Sequence, residues 1–153
     1  MQELRDLELL LGSRTPIILI ESIEEPRAVK LFVKLSLRLG RPLFRWTVTE
    51  GLKRLELEME PQRLTAEPTD ALKHIKAMDR PGCYLLLDFH PYLDNPLHVR
   101  LIKEIAQRHE ELPKTLIFLS HSLKIPSELR HLCARFDLEL PDRPAIRELI
   151  REE

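Results

Sequence analysis

Three short runs of apolar residues constrain the fold of this chain more than any other feature. Residues 16–20, 83–87 and 115–119 are almost wholly apolar, and the second and third runs end at Asp88 and Ser120. Each is far too short to span a bilayer, which takes about 20 residues. Unbroken apolar strands are typical of a sheet that is covered on both faces. The runs therefore predict three central strands of a mostly parallel sheet.

Helical patterns alternate with these strands. Apolar residues at helical spacing predict four long helices and two others, at 3–12, from 23 or 26 to 39 according to whether Ser22 or Glu25 is the cap, and at 69–78, 97–108, 127–134 and from 144 onward. Two further strands are predicted at 43–48, near an edge of the sheet, and at 136–140. This alternation favours a three-layer α/β/α sandwich around a mostly parallel, five-stranded sheet. Residues 51–65 fit neither period, and their structure stays open.

The composition suits one globular domain. The chain has 153 residues, of which 43% are hydrophobic, and a net charge of −1. Cys83 and Cys133 match no metal-ligand or redox spacing, so both are expected to be reduced core residues. The start of the chain lacks the basic leader and apolar run of a signal peptide. A cytoplasmic location without a membrane partner is therefore expected.

The polar residues at the strand ends carry a resemblance to a known family. Asp88 follows one apolar strand, Ser120 and His121 follow the next, and residues 135–143 combine a strand pattern with a Pro-Asp turn. Over residues 16–144 this arrangement resembles the AAA+ ATPase core, a P-loop NTPase (RecA/AAA)-like fold. In that family a Walker B acid and a polar sensor residue end neighbouring strands. More narrowly, the chain looks like the N-terminal, degenerate ATPase-like domain of hypothetical plastid and cyanobacterial AAA ATPases.

The segment after the first strand departs from that family. A phosphate-binding loop needs glycines that let the backbone wrap the phosphates, a Lys for the terminal phosphates, and a Ser or Thr for Mg²⁺. Residues 13–39 contain no glycine, and Glu21, Glu24 and Glu25 lie where the phosphates would bind. Pro26 also removes an N–H donor at the start of the helix. The sequence therefore predicts an ATPase-like core without a phosphate-binding loop.

Only two residues can be carried over from the family by position. Asp88 takes the place of the Walker B acid and Ser120 that of the sensor, but Phe89 and His90 stand where a catalytic carboxylate would follow. Neither residue is expected to retain its role, and Asp88 is interpreted as a strand-end residue that is hydrogen-bonded to nearby backbone. The resemblance thus implies no catalytic residue, no cofactor and no metal, and hence no enzymatic activity for this domain alone.

Two other sets of polar residues are weaker candidates for a catalytic site. The first could hold a metal ion: Asp88, His90, Asp94 and His98. The second could supply a nucleophile: Ser120, His121 and Ser122. The first has no spacing specific to a metalloenzyme, and the second lacks the Gly-x-Ser-x-Gly turn. Structural roles are favoured for both sets. The histidines on predicted helices, His74, His109 and His131, are expected to be partly exposed structural residues.

The second helix carries the one charge feature that suggests a partner. Its basic residues follow a spacing that places them along one side: Arg27, Lys30, Lys34 and Arg38. This basic face could meet nucleic acid or an acidic partner, or it could be a solvated helix face. Because Phe32, Phe44 and Trp46 are assigned to the core, no aromatic side chain is left there for stacking on bases. Nucleic acid is therefore not the favoured partner.

The resemblance implies a scaffold, oligomerisation or substrate-recruiting module. Its expected partners are a downstream AAA+ motor domain, neighbouring subunits and, as a further option, a protein substrate. Residues 1–153 are interpreted as a single N-terminal domain excised from a longer AAA+ protein, because the chain stops where the lid of that family would begin. The competing hypotheses are a domain that binds nucleic acid or an acidic partner through the basic face of the second helix, and a nucleotide- or metal-dependent enzyme.

Overall fold

Strands and helices alternate in the structure, a computed structural model that describes residues 2–138. Within these residues the elements are α1 (Gln2–Gly12), β1 (Ile17–Glu21), α2 (Glu25–Leu39), β2 (Leu43–Thr47), β3 (Gly51–Arg54), α3 (Pro68–Ala77), β4 (Gly82–Leu87), α4 (Pro96–Gln107), β5 (Lys114–Ser120) and β6 (Cys133–Arg135). Short 3₁₀ helices occupy Arg63–Thr65, His90–Tyr92 and Ser127–Leu132. The four long helices predicted from apolar spacing are confirmed.

The strands form a six-stranded sheet in the order β3-β2-β4-β5-β1-β6. All neighbours are parallel except the β2–β3 pair, which is antiparallel. Every residue of β4 and β5 is buried, as expected for central strands covered on both faces. The predicted count of five strands was wrong, because it did not include β3. This four-residue strand forms a hairpin with β2 at the edge of the sheet.

Two helical layers cover the sheet and give the predicted α/β/α sandwich. On one side α1 and α2 pack on the sheet through a cluster that includes Leu7, Phe32 and Ile117. On the other side α3 and α4 pack through a second cluster that includes Ile75 and Ile102. Among residues 2–138, no helix is both long and apolar enough to cross a bilayer.

A buried lysine fixes the end of α3 against the sheet. Lys114, at the start of β5, donates hydrogen bonds from Nζ to the carbonyl oxygens of Ile75 (2.9 Å) and Lys76 (3.1 Å). These carbonyls belong to the last turn of α3, where the helix itself offers no N–H donors. Burial lowers the pKa of Lys114, and a neighbouring guanidinium, that of Arg108, lowers it further.

The last strand lies earlier than the alternating pattern predicts. The prediction placed it at 136–140, but β6 covers Cys133–Arg135 and pairs with β1 in parallel, with Cys133 opposite Ile17. Phe136 instead packs into the α1–α2 side of the core, and its apolar side chain created the misleading pattern. Residues 139–140 and the helix predicted from 144 onward lie outside the described residues.

Acid is expected to destabilise the fold through His109. Its side chain is buried, and this burial lowers the pKa of the imidazole below 6.5. The folded state therefore disfavours the protonated form, so stability that is complete above pH 6.5 is lost as the pH falls through the lowered pKa. One such group contributes at most about 1.4 kcal/mol per pH unit to the free energy of unfolding.

Urea denaturation at a series of pH values between 7.5 and 5.5 would measure this slope. His109→Gln is expected to flatten it, whereas His131→Gln, at an exposed position, is expected to leave it unchanged. Equal slopes in wild type and His109→Gln would contradict the assignment to His109.

Candidate functional site

The carboxyl ends of β1, β4 and β5 meet at one edge of the sheet. Glu21, the last residue of β1, lies opposite Ser120, the last residue of β5. The N–H group of Asp88, directly after β4, donates a hydrogen bond to the carbonyl oxygen of Leu119 (3.0 Å). Asp88 and Ser120 therefore end neighbouring strands, as the resemblance implied. In parallel α/β sheets this edge is the usual location of a ligand site.

Asp88 is exposed and held in a strained backbone conformation. Its φ is 55°, in the left-handed region that Asp tolerates better than most residues. Its main-chain N–H is bonded to Leu119, as above, but its carboxylate has no hydrogen bond or ion pair with any residue among 2–138. Phe89, which follows it, is fully buried in an aromatic cluster with Trp46 and Phe118. The residue directly after Asp88 is therefore an apolar side chain of the core.

The hydroxyl of Ser120 is closed off from solvent. Ser120 is 1% exposed, and its Oγ atom has no hydrogen-bond partner among the described residues. Its carbonyl oxygen accepts a hydrogen bond from the N–H group of Ser22 (2.9 Å), which joins the β1–α2 connection to the end of β5. His121 is exposed and contacts the ring of His90 edge-on, with ring centroids 4.8 Å apart. The structure shows no bond between Ser120 and a base that could activate it.

The carboxylate of Glu21 accepts two hydrogen bonds at this edge of the sheet. One comes from the guanidinium of Arg135 and the other from the N–H group of Leu123 (3.1 Å). These two donors hold the pKa of Glu21 below its ordinary value, with Arg135 making the larger contribution. Glu21 therefore remains ionised and links β1 to both β6 and the segment after β5.

The connection between β1 and α2 is short and has few free N–H groups. Only residues 22–24 separate the two elements. The N–H group of Glu24 donates to the side chain of Ser22 (3.0 Å), and Pro26 has no N–H to offer. The carboxylate of Glu24 pairs with Arg27 at 2.9 Å. Glu25 and Ile23 are exposed.

The four residues considered as metal ligands do not form a metal site. His98 is buried, and both its ring nitrogens are already bonded, to Thr69 Oγ1 (2.6 Å) and to the carbonyl oxygen of Tyr92 (2.7 Å). Nowhere within residues 2–138 do three or more His, Cys, Asp or Glu side chains come close enough to share a metal ion. His98 therefore serves the packing of α4 against the start of α3.

The basic face of α2 is partly neutralised by α1. Arg27 pairs with Glu3 at 2.6 Å, and Arg38 pairs with Glu8 at 3.6 Å. The two residues between them, Lys30 and Lys34, are exposed and form no ion pair with another residue in the described part of the chain. The face thus offers two unpaired cations rather than the predicted four.

Comparison with known proteins gives a family match over nearly all the described residues. The family of SpoVK-like AAA ATPase N-terminal domains matches residues 3–138. Relatives include the uncharacterized AAA domain-containing protein ycf46 of Trieres chinensis, 30% identical over 89% of this chain and 28% of the relative. The proteins of the same name from Guillardia theta (28% identical over 99% of this chain) and Pyropia yezoensis (29% over 96%) are each covered over 30% of their length. The chain therefore spans less than a third of these relatives.

Proposed function

Because the chain belongs to the family of SpoVK-like AAA ATPase N-terminal domains, we propose that it is a non-catalytic module of a cytoplasmic AAA+ ATPase. In this proposal the module serves as a scaffold between subunits or recruits a protein substrate. ATP hydrolysis takes place in a separate domain, outside the 28 to 30% of the relatives that the chain matches.

The bonding of Glu21 carries this proposal. A nucleotide at the carboxyl edge needs N–H groups and cations directed at its phosphates. Here the guanidinium of Arg135 and the N–H group of Leu123 are bonded to a carboxylate of the chain itself. A phosphate would have to displace Glu21 to reach them, and would then face an uncompensated negative charge.

The connection after β1 supports the same conclusion. A phosphate-binding loop presents several successive N–H groups from a glycine-rich backbone. Residues 22–24 contain no glycine, and one of their N–H groups is bonded to Ser22. Glu25 adds an exposed negative charge at the start of α2, where a phosphate would need a positive environment. We therefore expect this edge to exclude ATP.

Calorimetric titration of the chain with Mg²⁺-ATP tests the non-catalytic part of the proposal. The expected result is no heat beyond that of dilution, with a P-loop ATPase in the same buffer as the positive control. A dissociation constant near 1 μM, equivalent to about −8 kcal/mol, would contradict the proposal.

A second experiment uses the longer protein that contains this domain. Asp88→Asn is expected to change ATP hydrolysis by less than about twofold, since the Asp88 carboxylate forms no hydrogen bond or ion pair with a described residue and no second carboxylate follows it in the sequence. The matched control is an Asp→Asn change at the Walker B acid of the ATPase domain, which should abolish hydrolysis. A large loss caused by Asp88→Asn would place catalysis in this domain.

A further inference from the structure

A depression with basic walls lies on the α3–α4 side of the sheet, over β1 and β6. It has a volume of about 580 Å³, and Leu19 of β1 and Cys133 of β6 both contribute to its lining. Leu19 belongs to the core cluster that α3 and α4 cover elsewhere, and Cys133 packs against that cluster. Three cationic side chains also line it, and we call it the basic depression: Lys124, Arg130 and Arg135.

The charge of the basic depression is largely uncompensated. Lys124 and Arg130 are exposed and form no ion pair with another residue among 2–138. Arg135 is paired with Glu21. Since none of the residues among 2–138 that line it carries a carboxylate, this part of the depression presents a surplus of positive charge to an incoming partner.

The contacts of Glu21 show which chemical group binds at the basic depression. Its carboxylate is bound jointly by Arg135 and the main-chain N–H of Leu123, and both of these residues line the depression. A carboxylate that accepts from a guanidinium and a backbone N–H forms charge-assisted hydrogen bonds, which are stronger than neutral ones. Lys124 and Arg130 line the same depression, and their charges are available to a second carboxylate.

The rest of the lining is apolar. Leu19, Leu123, Ile125 and Cys133 line the same depression as the cations. A ligand that fills it must therefore combine acidic groups with aliphatic ones, because uncovered apolar surface adds nothing to binding. Inorganic phosphate would satisfy the cations alone. The described residues of the lining include no aromatic side chain on which a nucleic-acid base could stack.

We propose that the basic depression binds an acidic segment of a partner protein in which Asp or Glu lies next to Leu or Ile. The proposal rests on the recruiting role proposed above and names the chemistry of what is recruited. The sequence predicted that an acidic partner would bind the basic face of α2, whereas this proposal places the binding site at residues 123–135. On that helix face Arg27 and Arg38 are already paired.

Fluorescence anisotropy on the 153-residue chain tests the proposal. The probe is a labelled peptide that alternates Asp with Leu, and saturable binding is expected. The double variant Lys124→Glu/Arg130→Glu should weaken binding by at least about tenfold, because two attractions become repulsions. The matched control Lys30→Glu/Lys34→Glu makes the same charge change on α2, at exposed residues, and should weaken binding by less than about twofold.

Three further probes decide what the depression recognises. A peptide with Asn in place of Asp, and one with Ser in place of Leu, should each bind much more weakly than the parent peptide. Any binding of oligouridylate should be the same in the wild type and in the Lys124→Glu/Arg130→Glu variant. Three results would each overturn the proposal: an equal loss of peptide affinity in the two double variants, binding of the Ser peptide as tight as that of the parent peptide, or binding of the RNA tighter than that of the parent peptide.

The two proposals fail in different ways. If no peptide binds and Mg²⁺-ATP gives no heat, the recognition of acidic segments is wrong while the non-catalytic assignment stands. If the peptide binds as expected and ATP also binds with micromolar affinity, the non-catalytic assignment alone is wrong.

Discussion

Replacing Gly51 with alanine is expected to lower the free energy of unfolding by ~3 kcal/mol, from backbone strain and overpacking together. Gly51 has a φ of 81°, a conformation that residues with a Cβ atom rarely adopt. An added Cβ would lie 2.8 Å from Thr65 Oγ1 and 2.9 Å from the N atom of Ala66, and it would overlap the carbonyl oxygen of Gln62. Backbone atoms cannot rotate away from such a contact, so the segment after β3 must shift.

Gly40→Ala is the matched control for this change. Gly40 ends α2 with a φ of 66°, but an added Cβ there would meet no atom within 4 Å. Gly40→Ala should therefore lower the free energy of unfolding only by the cost of the left-handed backbone conformation, ~1 kcal/mol. Urea denaturation followed by tryptophan fluorescence can measure both variants, because the chain contains a single tryptophan, Trp46. Equal losses in the two variants would show that the crowding around Gly51 has no energetic consequence.

The central strands could be predicted because burial alone determines their sequences. A strand covered on both faces has no solvated side, so the central residues of β1, β4 and β5 form almost wholly apolar runs. The long helices were predictable for a related reason, since each buries one face against the sheet. For these elements a local pattern carries the information needed to place them.

Strand β3 could not be predicted, because partners outside its own four residues hold it in place. Its four residues, Gly51–Arg54, contain two cations and a glycine, a composition that favours no strand. It pairs with β2 on one side and forms a single bridge, from Leu52 to Gln62, on the other. The partners that fix it lie up to 13 residues away in the chain.

The strand ends at the candidate site were predictable, but their bonding was not. Asp88 and Ser120 follow apolar runs, and parallel pairing brings such ends together at one edge. Glu21 meets Arg135 and Leu123 across 114 and 102 residues of sequence. No spacing rule connects residues so far apart, and the strand that carries Arg135 was itself predicted at the wrong place. The contact that carries the proposed function therefore became visible only in the structure.

Replacing Thr65 with valine is expected to lower the free energy of unfolding by ~2 kcal/mol, because a buried N–H group loses its acceptor. Thr65 Oγ1 accepts from the N–H group of Leu52 (2.8 Å) and donates to the carbonyl oxygen of Gln62 (2.5 Å). The carbonyl oxygen of Thr65 also accepts from Nε1 of Trp46 (2.8 Å), a main-chain bond that valine can keep. The substitution thus removes the hydroxyl that ties residues 62–65 to β3 and leaves the residue's shape almost unchanged.

Thr115→Val is the matched control, because it makes the same chemical change at a buried site where the hydroxyl has no described partner. Thr115 lies in β5, is fully buried, and its Oγ1 bonds to no residue among 2–138. Removing an unsatisfied hydroxyl should leave stability unchanged within ~0.5 kcal/mol or raise it. Denaturation midpoints of the two variants, measured through Trp46 fluorescence, compare the sites directly. If both variants lose the same stability, the cost lies in replacing a buried threonine and the hydrogen bonds of Thr65 do not fix β3.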